Sequence, residues 1–200
     1  MNIRLLFFLP AIATALLCCT DRGGGNATPK RYAYPRTEVY DSIRADYEAG
    51  AVRLSINQGA RVSHPDNKDG WLDAAYDRYG ATLHLSATHP DGGAMDEALA
   101  NRRERISLNL GGATARRDVF ENGAGMSCEV VVSRDPSTTP VQFIAYGHGV
   151  LVSGVFVIAG KTEPADSLRP ICDELENEAF AIVNSIRGKD KSDRPRRVKP

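Results

Sequence analysis

Two adjacent cysteines, Cys18 and Cys19, follow an uncharged apolar run near the start of the chain. A thiol in such a setting accepts a lipid when an aliphatic residue stands three positions before it and a small residue directly before it. Leu16 and Cys18 fill these positions for Cys19, whereas acylation of Cys18 would put the bulkier Leu17 directly before the thiol. The spacing therefore favours Cys19 as the lipidated residue. An ordinary cleaved signal peptide is the alternative, and it leaves Cys19 without a role.

The apolar run at residues 5–17 is shorter than the roughly 20 residues that a membrane-spanning helix needs, and its length is typical of a signal-peptide core. The sequence thus predicts a lipoprotein signal peptide at 1–19 and a flexible Gly-rich tether at 20–30. A single globular domain follows at 31–187, and 188–200 is predicted to be a disordered basic tail.

Two further cysteines, Cys128 and Cys172, stand in apolar patterns inside the predicted domain. Export would bring them to an oxidising compartment, where they could form a disulfide. A buried thiol also behaves as a small apolar side chain. The sequence leaves the disulfide and the two buried thiols as open alternatives.

Other reactive residue types do not assemble into a known motif. The sequence contains no G-x-S-x-G, no G-x-x-x-x-G-K-[ST], no H-E-x-x-H and no C-x-x-C pair. The histidines His64, His89 and His148 fall in turns, and His84 falls on a predicted strand. We therefore predict no catalytic residue, no metal site and no cofactor. Lys and Arg total 25 against 25 Asp and Glu, and a net charge of zero does not indicate nucleic-acid binding.

Hydrophobic periodicity indicates which elements hold these residues. Alternation with a two-residue period predicts strands at 31–37, 51–62, 81–88, 116–121, 127–134, 140–146 and 150–159. A period near 3.6 predicts helices at 94–110 and 166–187, and a short helix is predicted at 71–76. The strand at 150–159 is apolar on both faces and should be central. This order predicts an α+β fold, with a mainly antiparallel sheet and helices packed on its faces.

Several short motifs occur in an order that resembles a known family. They are P-K-R-Y-A-Y-P-R at 29–36, T-L-H-L-S at 82–86, P-V-Q-F at 140–143 and D-S-L-R-P at 166–170. This pattern resembles the GldD family of gliding-motility lipoproteins from Bacteroidetes, over most of residues 29–187. The sequence departs from the family in lacking a glycine between Arg31 and Tyr32 and in the segment 128–139.

The resemblance implies a cell-envelope lipoprotein, held in the inner or outer membrane by its lipid, with its domain in the periplasm or at the cell surface. It implies an accessory role in gliding motility or type IX secretion, beside a GldE-like membrane protein with CBS domains or another envelope protein. It carries over no catalytic residues. The α+β sandwich also resembles the Mog1/PsbP fold, whose members recruit partners.

Polar and aromatic residues recur inside otherwise ordinary predicted strands, and we expect them to form a partner-binding surface. They are Arg31, Tyr32, Tyr34, Arg36, His84 and Gln142. The alternative is that Tyr32, Tyr34 and Gln142 only satisfy a sheet edge. Two functions thus follow: a non-catalytic partner-binding accessory or, as the alternative, a ligand-binding (sensing) lipoprotein of the periplasm or cell surface.

Overall fold

Alternating apolar and polar residues build most of the chain into antiparallel strands. The computed structural model describes residues 38–65, 69–91, 93–159 and 165–189. These all belong to one unit, residues 36–200. Its strands are β1 (Arg44–Ala49), β2 (Val52–Asn57), β3 (Arg61–Ser63), β4 (Trp71–Tyr76), β5 (Ala81–Thr88), β6 (Ala115–Glu121), β7 (Ser127–Ser133), β8 (Val141–Gly147), β9 (Val150–Ile158) and β10 (Arg187–Gly188). Its helices are α1 (Met95–Leu110) and α2 (Ala165–Ser185), with a 3-10 turn at Asp77–Tyr79.

Seven strands form the main sheet in the order β3-β4-β5-β9-β8-β7-β6. Every neighbouring pair in it is antiparallel. The strand β9 occupies the middle, as its apolar residues on both faces predict. The predicted α+β class with a mainly antiparallel sheet is confirmed.

One face of the main sheet is covered by α2 and by a second, three-stranded sheet of order β1-β2-β10. The predicted apolar stripe of α2 is buried here, with Leu175, Ala179, Ile182 and Val183 fully inaccessible to solvent. Full burial of one large aliphatic side chain contributes about 1.5–3 kcal/mol, so this stripe fixes α2 on the sheet.

The opposite face of the main sheet is covered by α1, which connects β5 to the edge strand β6. Leu99 and Ile106 of α1 pack on Val131, Ile144 and Leu151. The helix ends as predicted at Gly111, where φ is 56° and the N–H donates to the carbonyl of Leu108. Glycine adopts this left-handed conformation without steric cost.

The structure corrects the predicted helix at 71–76, which is the strand β4. Leu72, Ala74 and Tyr76 are buried in alternation with more exposed neighbours, which is the two-residue period of a strand. All six residues pair with β5. The apolar spacing at these positions fits both a helical turn and an alternating strand, and pairing with β5 decides between them.

Other boundaries also differ from the prediction. The predicted strand 51–62 is two strands, β2 and β3, separated by residues 58–60. The strand β1 was not predicted, because its polar sequence shows little apolar alternation. Gly188, placed in the disordered tail by the sequence, pairs with Val52, and the N–H of Lys189 donates to the carbonyl of Ala51 at 2.9 Å. The predicted strand 31–37 lies outside the described residues, as do residues 190–200.

Cys128 on β7 and Cys172 on α2 are both buried in the same apolar core. No disulfide joins these two residues. Burial raises the pKa of the Cys128 thiol to about 11. This thiol therefore stays protonated near neutral pH and is a poor nucleophile.

Candidate functional site

His84 and Gln142 lie in one cross-strand row, a set of residues that stand opposite one another on neighbouring strands. Asp73 pairs with His84, His84 with Val155, and Val155 with Gln142. Adjacent strands are about 4.8 Å apart, so the backbones of His84 and Gln142 are separated by about 10 Å. The structure thus brings two of the predicted binding residues to one place on the α1 face of the sheet.

A second row, two residues further along each strand, runs beside the first. In it Trp71 pairs with Ser86, and Ser86 pairs with Ser153. The hydroxyl oxygens of the two serines are 3.1 Å apart and share a hydrogen bond. Trp71, at the outer end of this row, keeps 38% of its surface exposed.

The helix α1 supplies the wall opposite these rows. Arg102, Arg105, Ile106 and Asn109 recur at helical spacing and therefore share one side of α1. Ile106 is buried against the sheet, and the Nδ2 of Asn109 donates to the Oε1 of Gln142 at 2.7 Å. These contacts hold the helix and the two rows together along one groove.

We call this space the α1 groove. It encloses about 190 Å³. Its polar lining consists of His84, Ser86, Arg102, Arg105, Asn109, Gln142 and Ser153, and its aromatic lining of Trp71 and Phe143.

Gln142, which lines the α1 groove, carries a buried donor without a partner. Its side chain is only 2% exposed, and its Nε2 has no hydrogen-bond partner among the described residues. Leaving a buried donor unsatisfied costs about 1–3 kcal/mol. An acceptor that reached this atom after a small movement of the side chain would remove the cost.

Arg102 and Arg105 add positive charge without a counter-charge. Neither forms an ion pair with any carboxylate in the described part of the chain, although Arg103 between them binds the buried Glu129. Burial lowers the pKa of the half-buried Arg102 guanidinium, and the charge of Arg105 lowers it further. The two like charges therefore favour a bound anion.

A hydrogen bond to Asp73 on the neighbouring strand orients the ring of His84. The Nδ1 of His84 and the Oδ1 of Asp73 are 2.8 Å apart. An ionised carboxylate only accepts, so Nδ1 carries the hydrogen and donates it, which leaves Nε2 as the second polar atom of the ring. Asp73 thus fixes both the tautomer and the direction of the ring.

A second buried polar cluster surrounds Glu178 on the other face of the sheet. Its carboxylate accepts from the hydroxyl of Tyr76 at 2.8 Å, from the backbone N–H of Asn57 at 3.0 Å and from the guanidinium of Arg44 at 2.6 Å. Burial raises the pKa of Tyr76, and the neighbouring Glu178 charge raises it further. The carboxylate thus ties α2 to β1, β2 and β4, and the only unused buried donor of this cluster among the described residues is the Nε of Arg44.

A larger cavity, of about 350 Å³, lies where α2 meets the segment after β7. Its lining includes Arg134, Leu168 and Cys172. Arg134 is already paired with both Asp173 and Glu176 on α2. The cavity therefore offers less unused charge than the α1 groove.

The remaining predicted binding residues, Arg31, Tyr32, Tyr34 and Arg36, lie outside the described residues, and so does Cys19. Gln142 does not lie at a sheet edge, since β8 pairs with β7 on one side and with β9 on the other. Arg102, Arg105 and Asn109 were not predicted as site residues, although their helical spacing was a usable signal.

Searches with protein-family models and among curated proteins find no match to this chain. Across the described ranges, no three His, Cys, Asp or Glu side chains meet in an arrangement that could hold a metal ion. The helices of the described part are too short or too polar to span a membrane.

Proposed function

We propose that this chain is a lipid-anchored protein of the cell envelope that binds a partner protein through the α1 groove and catalyses no reaction. The observation that carries this proposal is the set of unused donors in the groove. Gln142 Nε2, Arg102 and Arg105 converge on one space and have no acceptor or carboxylate partner among the described residues. The buried Gln142 donor is costly without a partner, and the two arginines beside it lack a counter-charge, so the set favours binding over a purely structural role.

The anchor in this proposal is a lipid on Cys19, supported by the apolar run before it and by Leu16 and Cys18 at the required positions. The Gly-rich tether at 20–30 would then hold the domain away from the bilayer. The lipid would sit in the inner or outer membrane, with the domain in the periplasm or at the cell surface.

The biological role in this proposal is that of an accessory in gliding motility or type IX secretion. It is supported by the resemblance to the GldD lipoproteins, which includes the T-L-H-L-S and P-V-Q-F motifs around His84 and Gln142. The partner would be a GldE-like membrane protein with CBS domains or another envelope protein. We also propose that the two-sheet architecture is a Mog1/PsbP-like sandwich.

Cross-linking in cells tests the groove as the binding surface. A photo-reactive residue in place of Val157, which is 41% exposed, would lie about 7 Å along β9 from Val155. The matched control is the same residue in place of Leu108, which is 71% exposed on α1. We expect one discrete protein adduct from position 157 and none from position 108.

Equal adducts from both positions, or none from position 157, would contradict the proposal. A small molecule that co-purifies with the protein, with no protein adduct, would favour the sensing alternative.

A further inference from the structure

We infer that the α1 groove binds a single carboxylate, presented by an Asp or Glu side chain of the partner protein. This inference rests on the proposed function and names the chemistry of the partner. It follows from the charge, the donors and the size of the groove.

The charge of the groove matches one negative charge. Arg102 and Arg105 contribute two positive charges to the lining, and Asp73, which is hydrogen-bonded to the lining residue His84, contributes one negative charge beside it. A monoanion balances the remaining positive charge. A phosphate would bring about two negative charges, which exceeds the net positive charge of these three groups.

The donors of the groove match the acceptor capacity of a carboxylate. A guanidinium offers a planar fork of N–H groups that fits two carboxylate oxygens. Gln142 adds its unused Nε2 from the buried end. Ser86 and Ser153 carry two hydroxyl hydrogens, and their mutual bond uses only one of them. A neutral acceptor would leave both arginine charges uncompensated.

The size of the groove favours a side chain over a free small molecule. Pockets for drug-sized ligands enclose roughly 300–1,000 Å³. The α1 groove encloses about 190 Å³, which suits the end of one acidic side chain. The exposed Trp71 at the rim offers an apolar surface for the methylene groups of that side chain.

The test is a titration of the isotope-labelled full chain in detergent micelles, followed by NMR. The probes are the capped peptides acetyl-Ala-Glu-Ala-amide and acetyl-Ala-Gln-Ala-amide, and sodium phosphate. We expect the Glu peptide to shift the side-chain NH₂ signals of Gln142 and the indole signal of Trp71 in a saturable way. The Gln peptide should bind at least about 10-fold more weakly, since a hydrogen bond to a charged group contributes about 1.5–3 kcal/mol.

Substitution of single arginines tests whether the Glu peptide binds in the α1 groove. Arg102→Gln and Arg105→Gln should each weaken binding of the Glu peptide by about 10-fold or more. The control is Arg61→Gln, an exposed arginine paired with Asp77 outside the groove, and it should leave binding unchanged. Each variant is checked for an unchanged amide spectrum elsewhere in the domain.

Equal binding of the two peptides, or loss of binding in the Arg61 variant alone, would overturn the inference. Tighter binding of phosphate than of the Glu peptide would overturn it in favour of a phosphorylated group.

The inference and the proposed function fail in different ways. If the 157 adduct persists in cells carrying Arg102→Glu and Arg105→Glu together, the partner-binding function stands and the carboxylate inference is wrong. If the Glu peptide binds as expected but position 157 gives no protein adduct, the carboxylate site stands and the proposed function is wrong.

Discussion

The hydroxyl of Tyr76 donates to the buried carboxylate of Glu178, 102 residues further along the chain. This bond joins β4 of the main sheet to α2, the helix that covers it. It is therefore a long-range contact that adds to the apolar packing of α2 on this face.

Removing this hydroxyl should weaken the fold. In Tyr76→Phe the Glu178 carboxylate keeps Arg44 and the Asn57 N–H but loses one buried partner, so we expect a loss of about 1–3 kcal/mol in the free energy of unfolding. Urea unfolding measures it. The control is Tyr47→Phe, a half-buried tyrosine whose hydroxyl makes no bond in the described residues, and its unfolding midpoint should stay at the wild-type value. A Tyr76→Phe midpoint equal to that of Tyr47→Phe would contradict this assignment.

A fall in pH should detach β10 from β2 before the rest of the domain unfolds. A hydrogen bond from Ser55, then Arg187, lowers the pKa of Asp46, and Lys189 lowers the pKa of Glu48. A carboxyl whose pKa is lower in the folded state stabilises it above the ordinary carboxyl pKa, here 3.8 for Asp46 and 4.5 for Glu48. That contribution disappears as the pH falls below these values and through the lowered ones.

Hydrogen exchange of single amides measures this release. The N–H of Lys189, bonded to the Ala51 carbonyl, should lose protection below about pH 4 after correction for the intrinsic exchange rate. The N–H of Ala87, bonded to the Gly70 carbonyl, is the control and should keep its protection in the same range. Parallel loss at both amides would show that β10 does not detach separately.

Gln142 should contribute to binding without contributing to stability. In Gln142→Met the side chain keeps a similar volume and removes a buried donor that has no partner, while the exposed Asn109 can turn to water. We therefore expect the free energy of unfolding to stay within about 1 kcal/mol of wild type or to rise. The cross-linked adduct at position 157 should fall at the same time. A large loss of stability would mean that Gln142 is a structural residue.

The predicted lipidation of Cys19 can be tested against a matched control, the neighbouring Cys18. Cys19→Ala should abolish incorporation of radiolabelled fatty acid, and Cys18→Ala should retain it, because alanine keeps a small residue directly before Cys19. Gel fluorography of the immunoprecipitated protein reads out both variants. Label that persists in Cys19→Ala would overturn the choice of Cys19.

The sequence predicted the helices and strands whose hydrophobic residues follow one clear period. The apolar stripe of α2 and the two-sided strand β9 could be read directly, because both follow from burial alone. It did not predict β1, whose polar residues are ordered by pairing with β2, nor the strand character of Trp71–Tyr76, which depends on β5. Pairing across distant segments leaves no local signal.

The α1 groove could be predicted only in part for the same reason. His84 and Gln142 stood out as polar residues in apolar strands. Their proximity, however, depends on the position of β9 between β5 and β8. The positive wall also depends on which side of α1 meets the sheet. Arg102, Arg105 and Asn109 share helical spacing, yet the sequence does not say that Arg103, one position away, binds Glu129 instead.

The position of β10 has a practical consequence for labelling the protein. Because β10 extends the small sheet, Lys189 leaves the domain on the face that carries α2, away from α1. A fluorescent dye or affinity handle coupled at position 189 would thus lie on the reverse side of the main sheet. The molecule can be tracked or immobilised there while its opposite side remains open to incoming proteins.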